Sequence, residues 1–270
     1  MPEFAHSWKV DPHTSDLLGA VGTVAALGLM LSPVPIFRRV VRSRDTGDVP
    51  GLPYVLTLAQ CTLWTLYCSW TPGRTLPLLT NAFGIVCETV YVCLFARFSS
   101  GDVRKSFLRL CCVVCALVLI FSVWVTTTFT GTRRANIAGA VTDCVNISMF
   151  ISPLAAMGKV MRSRSVASLP ISLSLGMGVC ALAWVIYGVY VADITILIPN
   201  AIGFTLATGQ VALWARYMGT EESRAAAALA AKTDALAAGG VSALGETEAA
   251  PLTRVEVGGD LTTVEGEEHT

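Results

Sequence analysis

Beginning at Leu17, the chain returns repeatedly to apolar stretches of about 20 residues, the length that crosses roughly 30 Å of hydrocarbon, separated by short polar connections. These stretches predict seven helical spans over 17–37, 53–70, 76–97, 108–128, 135–158, 169–191 and 194–217. In lipid every backbone donor and acceptor must be satisfied internally, and segments this long do so as helices rather than as barrel strands. The fold class that follows is an all-α membrane protein. Ahead of the first span, residues 1–16 are polar and carry Glu3, Asp11 and Asp16, where a cleavable signal would show a basic start and a short apolar core. Beyond the last span, residues 218–270 change character. The stretch from Arg224 to Ala238 is rich in alanine and suited to a helix, and the remainder is Gly, Thr and acid with almost no large apolar side chain. Such a segment buries too little surface to offset its chain entropy, so a disordered tail is expected there.

Composition supports the membrane reading and charge gives it a direction. Of 270 residues, 53% are hydrophobic and only 14% charged, against about 25% charged in an ordinary soluble domain. The 19 basic and 19 acidic residues balance, without the basic excess or stripe that a nucleic-acid partner needs. The loops after the first, third and fifth spans hold Arg38, Arg39, Arg42, Arg44, Arg97, Arg104, Lys105, Arg109, Lys159, Arg162 and Arg164, eleven bases in all. The opposite loops hold three: Arg74, Arg133 and Arg134. Basic loops stay cytosolic, which puts the N-terminus outside and the C-terminus in the cytosol. The nine cysteines all fall in apolar runs, and Cys112-x-x-Cys115 lacks a partner His, so they read as small packing residues.

The strongest organising signal is an internal repeat. Ser32-Pro33 through Ser43-Arg44 meets Ser152-Pro153 through Ser163-Arg164 at an offset of 120 residues. At the same offset Trp64-Thr65-Leu66-Tyr67 meets Trp184-Val185-Ile186-Tyr187, and at 119 Asn81-Ala82-Phe83-Gly84 meets Asn200-Ala201-Ile202-Gly203. The expectation is two copies of a three-helix unit, over 17–97 and 135–217, joined by a linker helix and its flanking loops over 98–134. An odd unit inserts upside down unless a helix is added between the copies, so this three–one–three order makes the repeats parallel. Parallel repeats enclose a site near the midplane, which describes a transporter.

Several of these motifs, in order, carry a family likeness: Ser32-Pro33, Leu52-Pro53-Tyr54, Asn81 to Gly84, Glu88-Thr89-Val90-Tyr91, Ser152-Pro153-Leu154, Ser163-Arg164-Ser165-Val166 and Ile198-Pro199-Asn200-Ala201-Ile202-Gly203-Phe204. Over about residues 17–217 the chain resembles the SWEET sugar transporters. The resemblance implies bidirectional, energy-independent movement of mono- or disaccharides down their gradient by alternating access. It also implies homo-oligomers, no cofactor, and the plasma membrane as the default location, with an organelle membrane as the alternative.

The candidate site follows from residue chemistry and from that pattern together. Asn81 and Asn200 are equivalent midspan carboxamides, costly in lipid and therefore turned inward. Alone, either would serve as helix–helix glue; as a matched pair they suit the vicinal hydroxyls of a sugar. Trp64 and Trp184 are a second matched pair, with indole faces suited to the C–H face of a pyranose, whereas a lone Trp is usually a packing or interfacial residue. The family pattern adds Leu29 and Met149 to the pocket wall, and helical spacing adds Asn146, three residues before Met149, and Gln60 and Cys180, four before the tryptophans. A bulky Met149 and two tryptophans favour a monosaccharide such as glucose over sucrose. Pro33, Pro53, Pro153 and Pro170 match the family's hinge prolines, although proline at a helix end also simply starts or stops a helix. The ungapped offset pairs Pro170 with Pro50 rather than Pro53. Tyr67 and Asp193 match the pair that closes the extracellular gate.

Two membrane acids stand apart. An intramembrane carboxylate is a functional candidate by default; Glu88 belongs to the family pattern, and Asp143 does not. All three histidines (His6, His13 and His269) lie in the tails, so a proton relay would rest on these acids alone, and both read as structural. A seven-helix receptor would lack the repeat, and an intramembrane enzyme would need paired Asp residues or a membrane His. The remaining alternative is a PQ-loop-type carrier of an amino acid or other small solute, with proton coupling in its repertoire. Its marker, Pro-Gln, is replaced here by Pro followed by Val34, Tyr54, Leu154 or Ile171.

Overall fold

The computed structural model describes residues 11–167, 169–220 and 224–235. Among these, the chain is helical and forms α1 (Pro12–Leu31), α2 (Val34–Ser43), α3 (Leu52–Ser69), α4 (Thr75–Phe98), α5 (Gly101–Thr128), α6 (Gly131–Met149), α7 (Ile151–Ser163), α8 (Ile171–Tyr190) and α9 (Ile194–Tyr217). A separate helix over 224–235 lies in the Ala-rich stretch; the rest of the expected tail, apart from 218–220, lies outside the described residues.

The helix limits have local causes. Helix α1 starts five residues earlier than the apolar run because Asp11 caps it, accepting from the Thr14 N–H at 3.0 Å and the Thr14 hydroxyl at 2.8 Å, with Pro12 in the first turn. Those two hydrogen bonds hold the Asp11 carboxyl below its ordinary range. The first and fifth expected spans are each broken in two. Pro33 has no N–H to offer the Leu29 carbonyl, which accepts instead from the Ser32 N–H at 3.1 Å and the Ser32 hydroxyl at 2.7 Å. The second break falls at Phe150, with α6 ending at Met149, four residues before Pro153. That is the turn into which a proline ring clashes. Both short helices after the breaks end on a left-handed residue, Arg44 (φ 54°) and Arg164 (φ 51°), so the repeat extends to the backbone of the loops.

Among the described residues, six segments are long and apolar enough to cross a membrane: Pro12–Ser43, Thr75–Phe98, Gly101–Thr128, Gly131–Ser163, Ile171–Tyr190 and Ile194–Tyr217. The second expected span is present as α3 but falls outside that set. It has 18 residues, and Gln60, Thr57, Thr62 and Thr65 dilute its apolar content. Its surroundings explain this, because Val55, Ala59, Gln60, Cys61, Leu63, Trp64, Tyr67 and Cys68 are all buried.

Helix packing closes a ring. Around it, α1 packs on α4, α4 on α3, α3 on α6, α6 on α9, α9 on α8, and α8 back on α1. Helix α5 lies against α3, α4 and α6. Gly22 makes the α1–α8 closure possible: a Cβ there would sit 2.9 Å from the Trp184 indole. The buried cluster inside the ring contains Ala26, Trp64, Tyr67, Ala138, Cys180, Trp184, Tyr187 and Ile196. All nine cysteines are free thiols.

Candidate functional site

A cavity of about 170 Å³ lies inside the ring, lined by Ala26, Met30, Trp64, Pro77, Thr80, Asn81, Asn146, Trp184, Ile196 and Asn200. Of the sequence-derived pocket residues, Trp64, Trp184, Asn81, Asn200 and Asn146 are brought together here. Gln60 and Cys180 are buried behind it, one turn from the tryptophans; Gln60 donates through Nε2 to the Thr142 carbonyl at 3.3 Å. Leu29 faces a different groove, between α1 and α8, alongside Ser32, Ser172 and Gly176. Met149, the last residue of α6, is half-buried and is not among the residues lining this cavity.

The asparagine pair is held identically in the two halves. Asn81 Nδ2 donates to the Pro77 carbonyl at 2.9 Å, and Asn200 Nδ2 donates to the Ile196 carbonyl at 2.7 Å. Each bond spends one N–H on the side chain's own helix and fixes the amide plane. The second N–H and the carbonyl oxygen then remain for a solute. The tryptophans match as well. Trp64 meets Tyr67 edge to face at 5.8 Å, and Trp184 meets Tyr187 at 5.5 Å.

Those tyrosines begin a tightly bonded end above the cavity. Tyr67 Oη donates to Asp193, 2.9 Å from both carboxylate oxygens. Arg74 Nε donates to Asp193 Oδ2 at 2.6 Å, and Arg74 Nη2 to the Val191 carbonyl at 3.3 Å. The ion pair is nearly dry, with side chains 13% and 4% exposed. Asp193 also caps α9, accepting from the Ile196 N–H at 3.3 Å. The matching Tyr187 donates to the Gly73 carbonyl at 3.4 Å instead of to a carboxylate. Arg134 stacks over Trp70 at 4.7 Å.

The opposite end carries the prolines. Pro33 and Pro153 are half-buried, Pro33 at the first break and Pro153 in the first turn of α7 just after the second, while Pro53 and Pro170 are exposed. Pro53 stands in the first turn of α3 and Pro170 is the N-cap of α8, so in this conformation both act as helix initiators. Pro199, which the sequence offered only as part of a motif, is fully buried inside α9, one residue before Asn200. Thr80, bonded to Thr23 at 2.8 Å in the cavity wall, was not singled out at all. Arg74 had registered only as a loop base, although an offset of 119 residues sets it against Asp193. One carboxylate oxygen each of Glu88 and Asp143 is buried without a hydrogen-bond partner.

A ring of apolar helices in two like halves around a polar-walled cavity defines a duplicated, helical membrane protein. A family model described as a sugar efflux transporter for intercellular exchange matches residues 16–102 and again 136–222. The bidirectional sugar transporter SWEET16 of Oryza sativa subsp. japonica is 35% identical over 210 residues. That match takes in 77% of this chain and 64% of the relative, so the chain spans just under two thirds of that protein's length. SWEET2b of Oryza sativa subsp. indica is 37% identical over 209 residues, 74% of this chain and 88% of that one. A eukaryotic SWEET transporter solved at 3.7 Å matches with a TM-score of 0.73 and 33% identity, covering 77% of this chain and 99% of that one. The chain belongs to the SWEET family of sugar transporters.

Proposed function

We propose that the protein moves a sugar in both directions down its gradient, with no energy source, by exposing one cavity alternately to either side of the membrane. The observation that carries this is the cavity wall itself. Two asparagines on like helices each present a fixed amide, and two tryptophans flank them, so a neutral polyhydroxylated ring finds hydrogen bonds and an apolar face. The names of the relatives support the substrate class. A volume of about 170 Å³ is small beside the roughly 300–1,000 Å³ of typical ligand pockets, which favours a monosaccharide such as glucose over sucrose. In this reading Tyr67, Arg74 and Asp193 close the extracellular end, and the segments beyond Pro33 and Pro153 rearrange at the other, with Pro53 and Pro170 at the facing helix starts. The two three-helix units are parallel, with α5 as the linker. The eleven-to-three distribution of basic residues supports an outside N-terminus and a cytosolic C-terminus; the plasma membrane is the default location with an organelle membrane as the alternative, and the family suggests a homo-oligomer.

The test is flux of radiolabelled glucose and sucrose, as uptake and as efflux from preloaded liposomes, with and without an imposed proton gradient. Glucose moves both ways, faster than sucrose and independently of the proton gradient. Asn81→Ala and Asn200→Ala each lower glucose flux at least about tenfold, the cost of one lost hydrogen bond to a desolvated ligand. Flux that follows the proton gradient would turn attention to Asp143 and Glu88. Absence of flux for either sugar would overturn the assignment and favour the PQ-loop-type alternative.

A further inference from the structure

Beyond Pro33, α2 is strongly two-faced. Phe37 and Val40 point into the protein, 2% and 1% exposed, while Arg38, Arg39 and Arg42 are exposed. Between α2 and α4 runs a groove of about 430 Å³ lined by Val34, Phe37, Arg38, Val41, Arg42, Val90, Tyr91 and Leu94. Its floor is aliphatic and aromatic, and Val41 and Val90 remain 44% and 50% exposed. Arg38 and Arg42 stand one turn apart on its rim, where side chains four positions apart on a helix are neighbours. Neither makes an ion pair or a side-chain hydrogen bond among the described residues. The acids nearest in sequence, Asp45 and Asp48, lie in the following loop and pair with neither arginine; Asp45 accepts from the Gly47 N–H at 3.3 Å.

We propose that this groove binds an anionic phospholipid, with the headgroup phosphate across Arg38 and Arg42 and an acyl chain against Val41, Val90 and Leu94. Each half of the site demands part of that ligand. Two guanidinium groups take phosphate oxygens through directed hydrogen bonds, which a free phosphate would satisfy while leaving the apolar floor wet. A net-neutral lipid such as phosphatidylcholine would cover the floor and offer its phosphate, but its choline cation would cancel the charge that two guanidinium groups call for. An amphiphile with an anionic head satisfies both, as basic pockets between membrane helices do for lipid headgroups.

The second repeat supplies an internal control. At the 120-residue offset Arg38 becomes Gly158 and Phe37 becomes Met157, leaving Arg162 alone as the equivalent of Arg42. At 119, Val90 becomes Gly209, and the Met157 methyl lies 2.9 Å from where a Cβ there would stand. The equivalent space is thus occupied by Met157, and the paired charge is gone.

The full chain would be reconstituted in discs of phosphatidylcholine with an equal share of phosphatidylserine, extracted, and its retained lipid counted by native mass spectrometry. The wild type retains phosphatidylserine in preference to phosphatidylcholine. Each arginine at an anionic lipid contributes about fivefold in affinity, so Arg38→Gln with Arg42→Gln lowers retention about thirtyfold. Arg162→Gln lowers retention by no more than about fivefold, the contribution of one diffuse surface charge. Val90→Trp, at a half-exposed position that tolerates bulk, fills the groove with all charges intact and also lowers retention. Equal retention of the two lipids would overturn the site. So would an Arg162→Gln loss matching the double variant, since diffuse positive charge would then suffice. The readout involves no sugar, so it stands or falls independently of the transport assignment.

Discussion

The two halves share a frame and differ in what fills it. At the proline end, Val40 and Val160 are equivalent and fully buried, 1% and 0% exposed, and both short helices stop on left-handed arginines. Between these fixed points the first half holds an aromatic cluster. Phe37 stacks on Tyr91 at 4.7 Å and meets Tyr54 edge-on at 4.9 Å. Phe95 adds a contact with Phe107 of α5 at 4.4 Å. The same positions in the second half are Met157, Ser174 and Gln210, joined by one buried hydrogen bond from the Ser174 hydroxyl to Gln210 Oε1 at 3.0 Å. Backbone breaks and turn conformations survived duplication because proline and chain sterics impose them. The side-chain filling diverged, leaving stacked rings at these positions in the first half and a methionine with a polar contact in the second.

That difference makes measurable demands. Phe37→Ala removes a buried ring and its stacking partner's contact, a loss of about 3–5 kcal/mol. Met157→Ala, at a half-buried site, costs about 1–2 kcal/mol, below the range for a fully buried methionine. Thermal unfolding of the two variants in the same detergent checks this, and equal losses would mean that the halves are mechanically alike. At the opposite end, Tyr67→Phe gives up a hydrogen bond to a buried carboxylate and destabilises by about 2 kcal/mol. Tyr187→Phe gives up a long bond to a carbonyl and costs less than about 1 kcal/mol. A denaturant titration of both variants would break the asymmetry if the order came out reversed. Ser174→Ala leaves Gln210 Oε1 without this donor and costs about 1 kcal/mol, well below Phe37→Ala. A loss as large as that of Phe37→Ala would show that the polar contact, and not the aromatic cluster, holds this end together.

Much of the fold was legible because its causes are local. The last two spans, expected at 169–191 and 194–217, are helices over Ile171–Tyr190 and Ile194–Tyr217, since apolar runs and loop residues bound them sharply. The break before Pro153 was not placed, because a proline disturbs the turn ahead of it and not its own position. The repeat made the Asn and Trp pairs visible, and they do line one cavity. Gln60 and Cys180 were drawn into the pocket by spacing on their helices, but that spacing does not say how far a side chain rotates from the cavity. Pro77 and Ile196 could not have been found by side-chain chemistry. They enter through backbone carbonyls that anchor Asn81 and Asn200.

The Arg74–Asp193 ion pair also bears on how such a chain came to be one polypeptide. The two residues occupy corresponding places, each the N-cap of the last helix of its copy, α4 and α9. Two identical copies of the first unit would set arginine against arginine there, and two of the second would set carboxylate against carboxylate. Neither arrangement closes without help from a counter-ion or a neutral residue. An attraction between equivalent positions exists only once the copies are free to differ. This pair therefore makes the halves mutually dependent, and neither unit, paired with itself, could reproduce the contact.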